Sequence, residues 1–354
     1  MKNKITVIAS IRNREAWRIR TMVESIRQTG ASPSIHIVDY GSTSEYAVEY
    51  EALCKELKVK YTHMYTEGLP WIRAHPLNFG ARTAKTPFIV TTDIDMLYEG
   101  NAFQWCLDNY KDKTIFHIST FWLPKNGNRN QALSAGNGSL GGFTFVSKNA
   151  FEEINGYDER IQFWGYEDLD LDTRLIKCGY KQIWLPTEYK IYHQWHKVSE
   201  LGGLRPATVN YNSLNYCMQN KISPKLKNDY GQNVTKQNRP ILKYLENEQP
   251  AIFTLNHNEI TNWNKNSEFI DFILRNKFVK VELGKRFKVT PLKQIQPLTK
   301  KIISPIAKIC GFHIAPIINY NIDYLYETIL SIYPSILKDY YIDSHFESIF
   351  FLLR

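Results

Sequence analysis

The first hundred positions alternate short apolar runs with stretches of helical spacing. Residues 5–11 form a largely apolar, β-branched run that predicts a buried strand. Ile19, Met22, Val23 and Ile26 then recur at i, i+3, i+4 and i+7, which predicts a one-faced helix ending near Gly30. A second strand is expected at 34–40, a turn at 41–44, a helix over 45–57 and a third strand at 59–63. A further helix over 75–84 leads into a buried strand at 88–92. Strands alternating with helices of this length predict an α/β fold with a mostly parallel sheet. Such sheets bind ligands beyond the carboxyl ends of their strands. Arg12-Asn13-Arg14, Asp39 and Asp93 all fall there.

Beyond Gly100 the pattern is mixed. Strands are expected at 114–120, 141–146, 181–185 and 189–193, a loop at 124–138, and helices at 148–154 and 168–178. Past about residue 220 the chain turns to Asn, Lys, Ile and Tyr, with helical stretches at 241–246 and 268–278. A boundary between 220 and 250 is expected, with a catalytic domain at 1–225 and a mainly helical, basic accessory region at 226–354.

Composition narrows the class. With 354 residues, 43% hydrophobic and 22% charged, the chain has the material for a substantial core and reads as globular. Cys54, Cys106, Cys178, Cys217 and Cys310 are scattered and odd in number, without metal or disulfide spacing, which favours a reduced cytoplasmic setting. No run reaches the roughly 18 apolar residues of a membrane span. The net charge of +9 is concentrated: residues 271–310 carry 10 bases against 2 acids, whereas 311–354 carry 5 acids against 2 bases. Two readings stand. One is a solvated basic face. The other, in which Lys300-Lys301 precedes Ile302, Ile303 and Ile306, is peripheral contact with an anionic membrane. No nucleic-acid reader motif accompanies the charge, so nucleic acid is not an expected partner.

Against this basic background stand two acidic clusters, Asp93-Ile94-Asp95 and Glu167-Asp168-Leu169-Asp170. Carboxylates one residue apart at a strand end can share a hard divalent cation, Mn2+ or Mg2+, which in turn bridges phosphate oxygens. Arg12 and Arg14 offer guanidinium forks for phosphate or a base edge, or are surface arginines. Asp39 can accept the imide hydrogen of a uracil ring, or simply form the turn before Gly41. Glu167 and Asp168 fall at a helix start, where carboxylates are favourable for structural reasons and where one can act as a general base. Trp164 offers a flat face to a sugar or packs under its loop. His193 and His196, three positions apart, can converge on one metal only if the backbone turns between them. The reading preferred is His193 alone joining Asp95 through tertiary contact, with a core or surface histidine as the alternative for His193 and the expectation for His196.

In these residues the chain resembles the GT-A fold nucleotide-sugar glycosyltransferases, in particular the β-1,4-galactosyltransferase and bacterial chondroitin-synthase-like group. Ile11-Arg12-Asn13-Arg14-Glu15 and Val38-Asp39-Tyr40-Gly41-Ser42 are similar to the family's nucleotide-side segments. Leu77-Asn78-Phe79-Gly80-Ala81-Arg82 resembles the asparagine-glycine helix before the metal strand, and Thr92-Asp93-Ile94-Asp95 the DxD position. Gly141-Gly142-Phe143 resembles the donor-sugar segment. Asn155-Gly156-Tyr157-Asp158 through Trp164-Gly165-Tyr166-Glu167-Asp168 resembles the acceptor and catalytic motif, with Tyr166 where the galactosyltransferases often have glycine.

The resemblance covers roughly residues 5–196 and implies a Rossmann-like GT-A fold. It implies metal ligands Asp93, Asp95 and His193, and a base at Asp168 with Glu167 nearby. It further implies binding of a UDP-sugar by Arg12, Arg14, Asp39, Asn78, Asp93, Gly142 and Trp164. The expected activity is transfer of a hexose or N-acetylhexosamine to an oligosaccharide or lipid-linked glycan, with inversion, in bacterial surface polysaccharide or capsule synthesis. A retaining transferase, a metal-dependent nucleotidyltransferase and a noncatalytic carbohydrate-binding protein remain open alternatives.

Overall fold

The computed structural model describes residues 4–135, 140–161, 165–196, 225–226, 229–255, 272, 275–283, 337–343 and 348–354. They fall into two compact units, one drawn from 1–67, 71–197 and 213–235, the other from 68–70, 198–212 and 236–354.

The first unit begins with β1 (Ile5–Ile11), α1 (Trp17–Gln28), β2 (Ser34–Tyr40), α2 (Ser44–Glu56) and β3 (Lys60–Met64). There follow α3 (Ala74–Thr83), β4 (Phe88–Asp93), β5 (Met96–Glu99), α4 (Ala102–Asn109), β6 (Thr114–His117) and β7 (Thr120–Trp122). The remainder comprises β8 (Leu133–Ser134), β9 (Thr144–Ser147), α5 (Lys148–Glu153), α6 (Glu167–Lys177), β10 (Lys181–Trp184) and β11 (Lys190–His193).

A seven-stranded sheet runs in the order β10-β6-β9-β4-β1-β2-β3. β3, β2, β1 and β4 are parallel, as are β10 and β6, and β9 runs antiparallel between β4 and β6. β1 is buried along its whole length, as an apolar run covered on both faces must be. Its side chains alternate between two cores. Val7 and Ala9 join Ile19, Met22, Val23 and Ile26 of α1 together with Tyr50 and Leu53 of α2. Ile8 joins Leu77 and Phe79 of α3 together with Leu171 and Leu175 of α6. The result is the expected α/β fold of GT-A type, a mixed and mostly parallel sheet flanked by helices.

A smaller sheet, β5-β11-β7-β8, was not legible as such. The reading of one strand over 114–120 merges β6, which belongs to the main sheet, with β7, which pairs with β11 and β8. Apolar alternation gives the strands but not the change of sheet between them. Leu133–Ser134 lies inside the expected loop, and β5 and α4 were not anticipated.

In the second unit, the helix expected at 241–246 is present as Pro240–Asn247. Beside it is a four-stranded sheet that the sequence reading did not name, β12 (Ala251–Leu255), β13 (Phe278–Leu283), β15 (Ser348–Leu353) and β14 (Leu337–Ile342). Ile241, Phe278 and Leu352 form its core. Asp339 on β14 receives Nε of the buried Arg239 at 3.1 Å and the Ile241 amide at 3.2 Å, which caps the helix start. Phe278, expected to end a helix over 268–278, instead opens β13. Of the basic stretch 277–308 expected to meet a membrane, 278–283 form β13, and residues 284–308 lie outside the described residues, as does most of 268–278. Among the described residues no helix is long and apolar enough to cross a membrane.

Candidate active site and metal centre

β4 ends at Asp93 and the chain turns through Ile94 and Asp95 into β5. β11 pairs antiparallel with β5, setting His193 opposite Met96, and the Gln194 amide donates to the Asp95 carbonyl at 3.0 Å. This pairing fixes where the chain after β11 returns. It brings His193 Nε2 to 3.6 Å from Asp95 Oδ1 and His196 Nε2 to 3.4 Å from Asp95 Oδ2. One ligand atom from each of Asp95, His193 and His196 lies within 4.8 Å of the others. The set fits a divalent ion chemically: two imidazoles and a carboxylate suit a first-row divalent transition metal. Asp95 Oδ1 is also buried with no hydrogen-bond partner among the described residues, a position a cation would complete.

The set differs from the one expected. His196, read as a core or surface histidine, is brought in because the chain turns after β11. Asp93 stands apart from the group, with its Oδ1 accepting from Arg73 Nε at 2.7 Å.

Arg73, just before α3, was missed by the sequence reading. It is 8% exposed and makes contacts in three directions. Besides Asp93, its Nη1 donates to Asp168 Oδ1 at 2.7 Å and lies 3.5 Å from Glu167 Oε1, and its Nη2 donates to the Gly141 carbonyl at 2.8 Å. One guanidinium thus joins the two acidic clusters. Its planar fork suits it to divergent partners as an ammonium would not. The only signal in the sequence was an arginine preceding an amphipathic helix, which is common on protein surfaces.

Asp168 retains 23% side-chain exposure and Glu167 only 5%. Burial pushes the Asp168 carboxyl above the usual carboxylate range, Arg73 pulls it down, and Asp93 and Asp172 push it up, with a net upward shift. A carboxylate so placed holds a proton more readily than a free aspartate. The backbone beside it must come close: a Cβ on Gly141 would lie 2.5 Å from Asp168 Oδ2.

α6 is held in place behind these carboxylates. Fully buried Arg174 pairs with Asp170 at 2.7 Å and donates to the Ile154 and Gly156 carbonyls at 3.0 and 2.7 Å. Asp172 meets His117 Nε2 of β6 at 2.9 Å, and His117 Nδ1 is 3.1 Å from the Phe143 carbonyl. The acids of the first turn also complement the helix dipole. Tyr166 precedes them at φ 77°, in the left-handed region that glycine tolerates best, at a cost on the order of 1–2 kcal/mol.

The remaining expected residues are placed as follows. The loops after β1 and β2 are tied together, with the Asn13 amide on Ser42 Oγ and the Thr43 amide on Asn13 Oδ1, both at 2.9 Å. Tyr50 Oη bonds the Arg14 amide at 2.8 Å and the Arg14 carbonyl. Arg12 lies over the Tyr40 ring at 5.8 Å.

Asp39 is fully buried and accepts from the Ser42 amide at 2.9 Å, Tyr61 Oη at 2.8 Å and His63 Nδ1 at 2.8 Å. This is the turn-forming geometry, with its oxygens already engaged within the chain. Asn78 is likewise fully buried. Its Nδ2 donates to the Tyr157 carbonyl and Glu159 Oε1, and its Oδ1 accepts from the Tyr157 amide. It braces the 155–159 segment that precedes Glu167 and Asp168 in the chain. The Gly142 carbonyl accepts from Thr92 Oγ1 at 2.7 Å. Trp164 lies outside the described residues.

Residues 129–197 match a family model described as the N-terminal domain of galactosyltransferase. An uncharacterised glycosyltransferase of Rickettsia conorii is 34% identical over 111 residues, covering 31% of this chain and 16% of that protein. Among solved structures, the catalytic domain of Drosophila β-1,4-galactosyltransferase 7 in complex with xylobiose is similar at a TM-score of 0.36 and 17% identity. That likeness covers 51% of this chain and 64% of the other. GalNAc-T7 with UDP, GalNAc and Mn2+ gives 0.45 and 17%, over 60% and 47% of the two chains. TarS 1–349 of S. aureus with UDP gives 0.46 and 14%, over 63% and 67%. The segment matched by the family model carries Glu167, Asp168, His193 and His196, so the chain is glycosyltransferase-like where its candidate chemistry is concentrated.

Proposed function

We propose that this chain is a metal-dependent glycosyltransferase that moves a hexose or N-acetylhexosamine from a UDP-sugar to a saccharide hydroxyl, with inversion. The observation that carries the reading is the junction of two chemistries at the ends of β4 and β11. Asp95, His193 and His196 form a group able to hold a divalent ion, and Arg73 links the neighbouring Asp93 to Asp168. When bound there, Mn2+ or Mg2+ would supply charge neutralisation for the departing diphosphate.

The chain's own residues account for the rest. Asp168, partly exposed and with its affinity for protons raised, takes the proton of the acceptor hydroxyl. Glu167, behind it and nearly buried, keeps the guanidinium of Arg73 in place. Arg12 and Arg14, on a loop pinned by Tyr50 and Ser42, face the nucleotide end. Asp39 and Asn78 support that end from within rather than by direct contact. The acceptor is an oligosaccharide or lipid-linked glycan in bacterial surface polysaccharide synthesis, reached from the cytoplasmic side.

A panel of nucleotide sugars with Mn2+, scored for nucleoside diphosphate release and then for transfer to saccharide acceptors, tests the reading. Mn2+-dependent release from a UDP-sugar, abolished by EDTA, is expected. Asp168→Asn should lower transfer roughly 100-fold or more while leaving donor binding intact. Absence of both release and binding with every nucleotide sugar would overturn the proposal. A dead Glu167→Gln beside an active Asp168→Asn would reassign the base.

A further inference from the structure

We infer that Arg18 is a positioning residue of the metal centre, whose guanidinium holds Asp95 so that its carboxylate faces the two histidines. The inference rests on the metal reading above and concerns a residue that neither the motifs nor the matched segment includes.

Arg18 lies in the first turn of α1 and is 4% exposed. Its Nε donates to Glu15 Oε2 at 2.8 Å, and its guanidinium lies over the Trp17 ring at 4.7 Å. Its Nη1 is 3.6 Å from Asp95 Oδ2 and has no hydrogen-bond partner among the described residues. Asp95 Oδ1 is in the same condition. A buried guanidinium nitrogen with no hydrogen bond of its own thus pairs by charge with Oδ2 of a carboxylate whose other oxygen, Oδ1, is buried and unbonded on the His193 side, although buried polar groups are ordinarily satisfied.

The pair with Glu15 does not explain this burial. Glu15 is 58% exposed, and an arginine reaching it from the surface would make the same contact without losing water. What burial adds is the approach to Asp95.

Two effects of Arg18 on an ion oppose each other. Its charge repels a cation, and its contact fixes the carboxylate that binds one. Glu15, at 2.8 Å, offsets much of the guanidinium charge, so the repulsion is reduced while the contact remains. Loss of such an outer partner ordinarily lowers metal affinity by roughly 10- to 100-fold.

Mn2+ titration of the full chain without donor, followed by electron paramagnetic resonance of the free and bound ion, tests the inference. Arg18→Met keeps length and packing but removes the donors. It should weaken Mn2+ binding about 10-fold or more and alter the line shape of the bound ion. Arg18→Lys, which offers one cationic donor without the fork, should fall between Arg18→Met and wild type. If Arg18→Met does not fold, a threefold or greater weakening in Arg18→Lys carries the same test. Unchanged or tighter Mn2+ binding in the folded variants overturns the role of Arg18. A wild-type chain that binds no Mn2+ overturns the metal reading itself, which is a distinguishable failure.

Discussion

At the scale of single residues, Arg73 is the member of the site whose loss reaches furthest. Replacing it with leucine leaves Asp93, Glu167 and Asp168 facing one another with no cation between them. Breaking a buried ion pair on one side costs about 3–5 kcal/mol, and the partial exposure of Asp93 and Asp168 places this case near the lower figure. Urea denaturation in EDTA should show that loss, with little recovery in Arg73→Lys because an ammonium cannot fork between separate acids. A midpoint equal to wild type would mean that water already keeps the three carboxylates apart. This residue also marks what the sequence could and could not convey. Asp95 was named from the chain because an acidic pair after an apolar run is a local pattern, and His193 because the segment it ends resembles that of a known family. Arg73, Arg18 and His196 acquire their partners only through tertiary convergence, and nothing within a few residues of each distinguishes it from a surface side chain.

At the scale of elements, the packing of α3 on β1 depends on the absence of a side chain. A Cβ on Gly80 would lie 2.3 Å from Ile8 Cγ2, closer than any real contact permits. Gly80→Ala should therefore destabilise by about 1–3 kcal/mol through overpacking. Combined with Ile8→Ala, it should cost less than the two changes summed, since the added methyl occupies the space vacated. Strict additivity in thermal melts would show that α3 shifts as a body instead. The elements of this half were legible to within a few residues because β1, α1 and α3 have long, clean periodicities. β5, β7 and β8 were not, because strands of two to four residues carry too little pattern to separate from turns.

At the scale of the whole molecule, stability should depend on alkaline pH through His63. Burial of its ring lowers its proton affinity, but the hydrogen bonds to Asp39 and Glu67 outweigh this and hold it up at about 9. A group raised from 6.5 in the unfolded chain contributes stability that is fully present below that value and is lost as pH rises through about 9. Denaturation midpoints should fall between pH 7 and 10, and His63→Gln should flatten that dependence. An identical slope in the variant would assign the alkaline loss elsewhere. The two-unit organisation was legible only as a change of composition. The strands of the second unit were not, because short apolar runs such as 348–353 fit a buried helix turn as well as a strand.

The metal group has a consequence for the order in which this chain becomes competent. Asp95 lies in the first third of the sequence, whereas His193, at the end of a strand that must lie between β5 and β7, and His196, just past it, arrive about a hundred positions later. An ion bound by all three would act as a clasp between early and late segments. Its affinity then reports that β11 has been threaded, not merely that the β1–β4 half has formed. In refolding, capture of Mn2+ should trail recovery of the far-ultraviolet signal and coincide with the last aromatic signal to return. A nascent chain that ends before β11 possesses the entire β1–β4 half yet lacks the clasp, so under the proposed metal-dependent reaction it would gain activity only after its own synthesis has passed that strand.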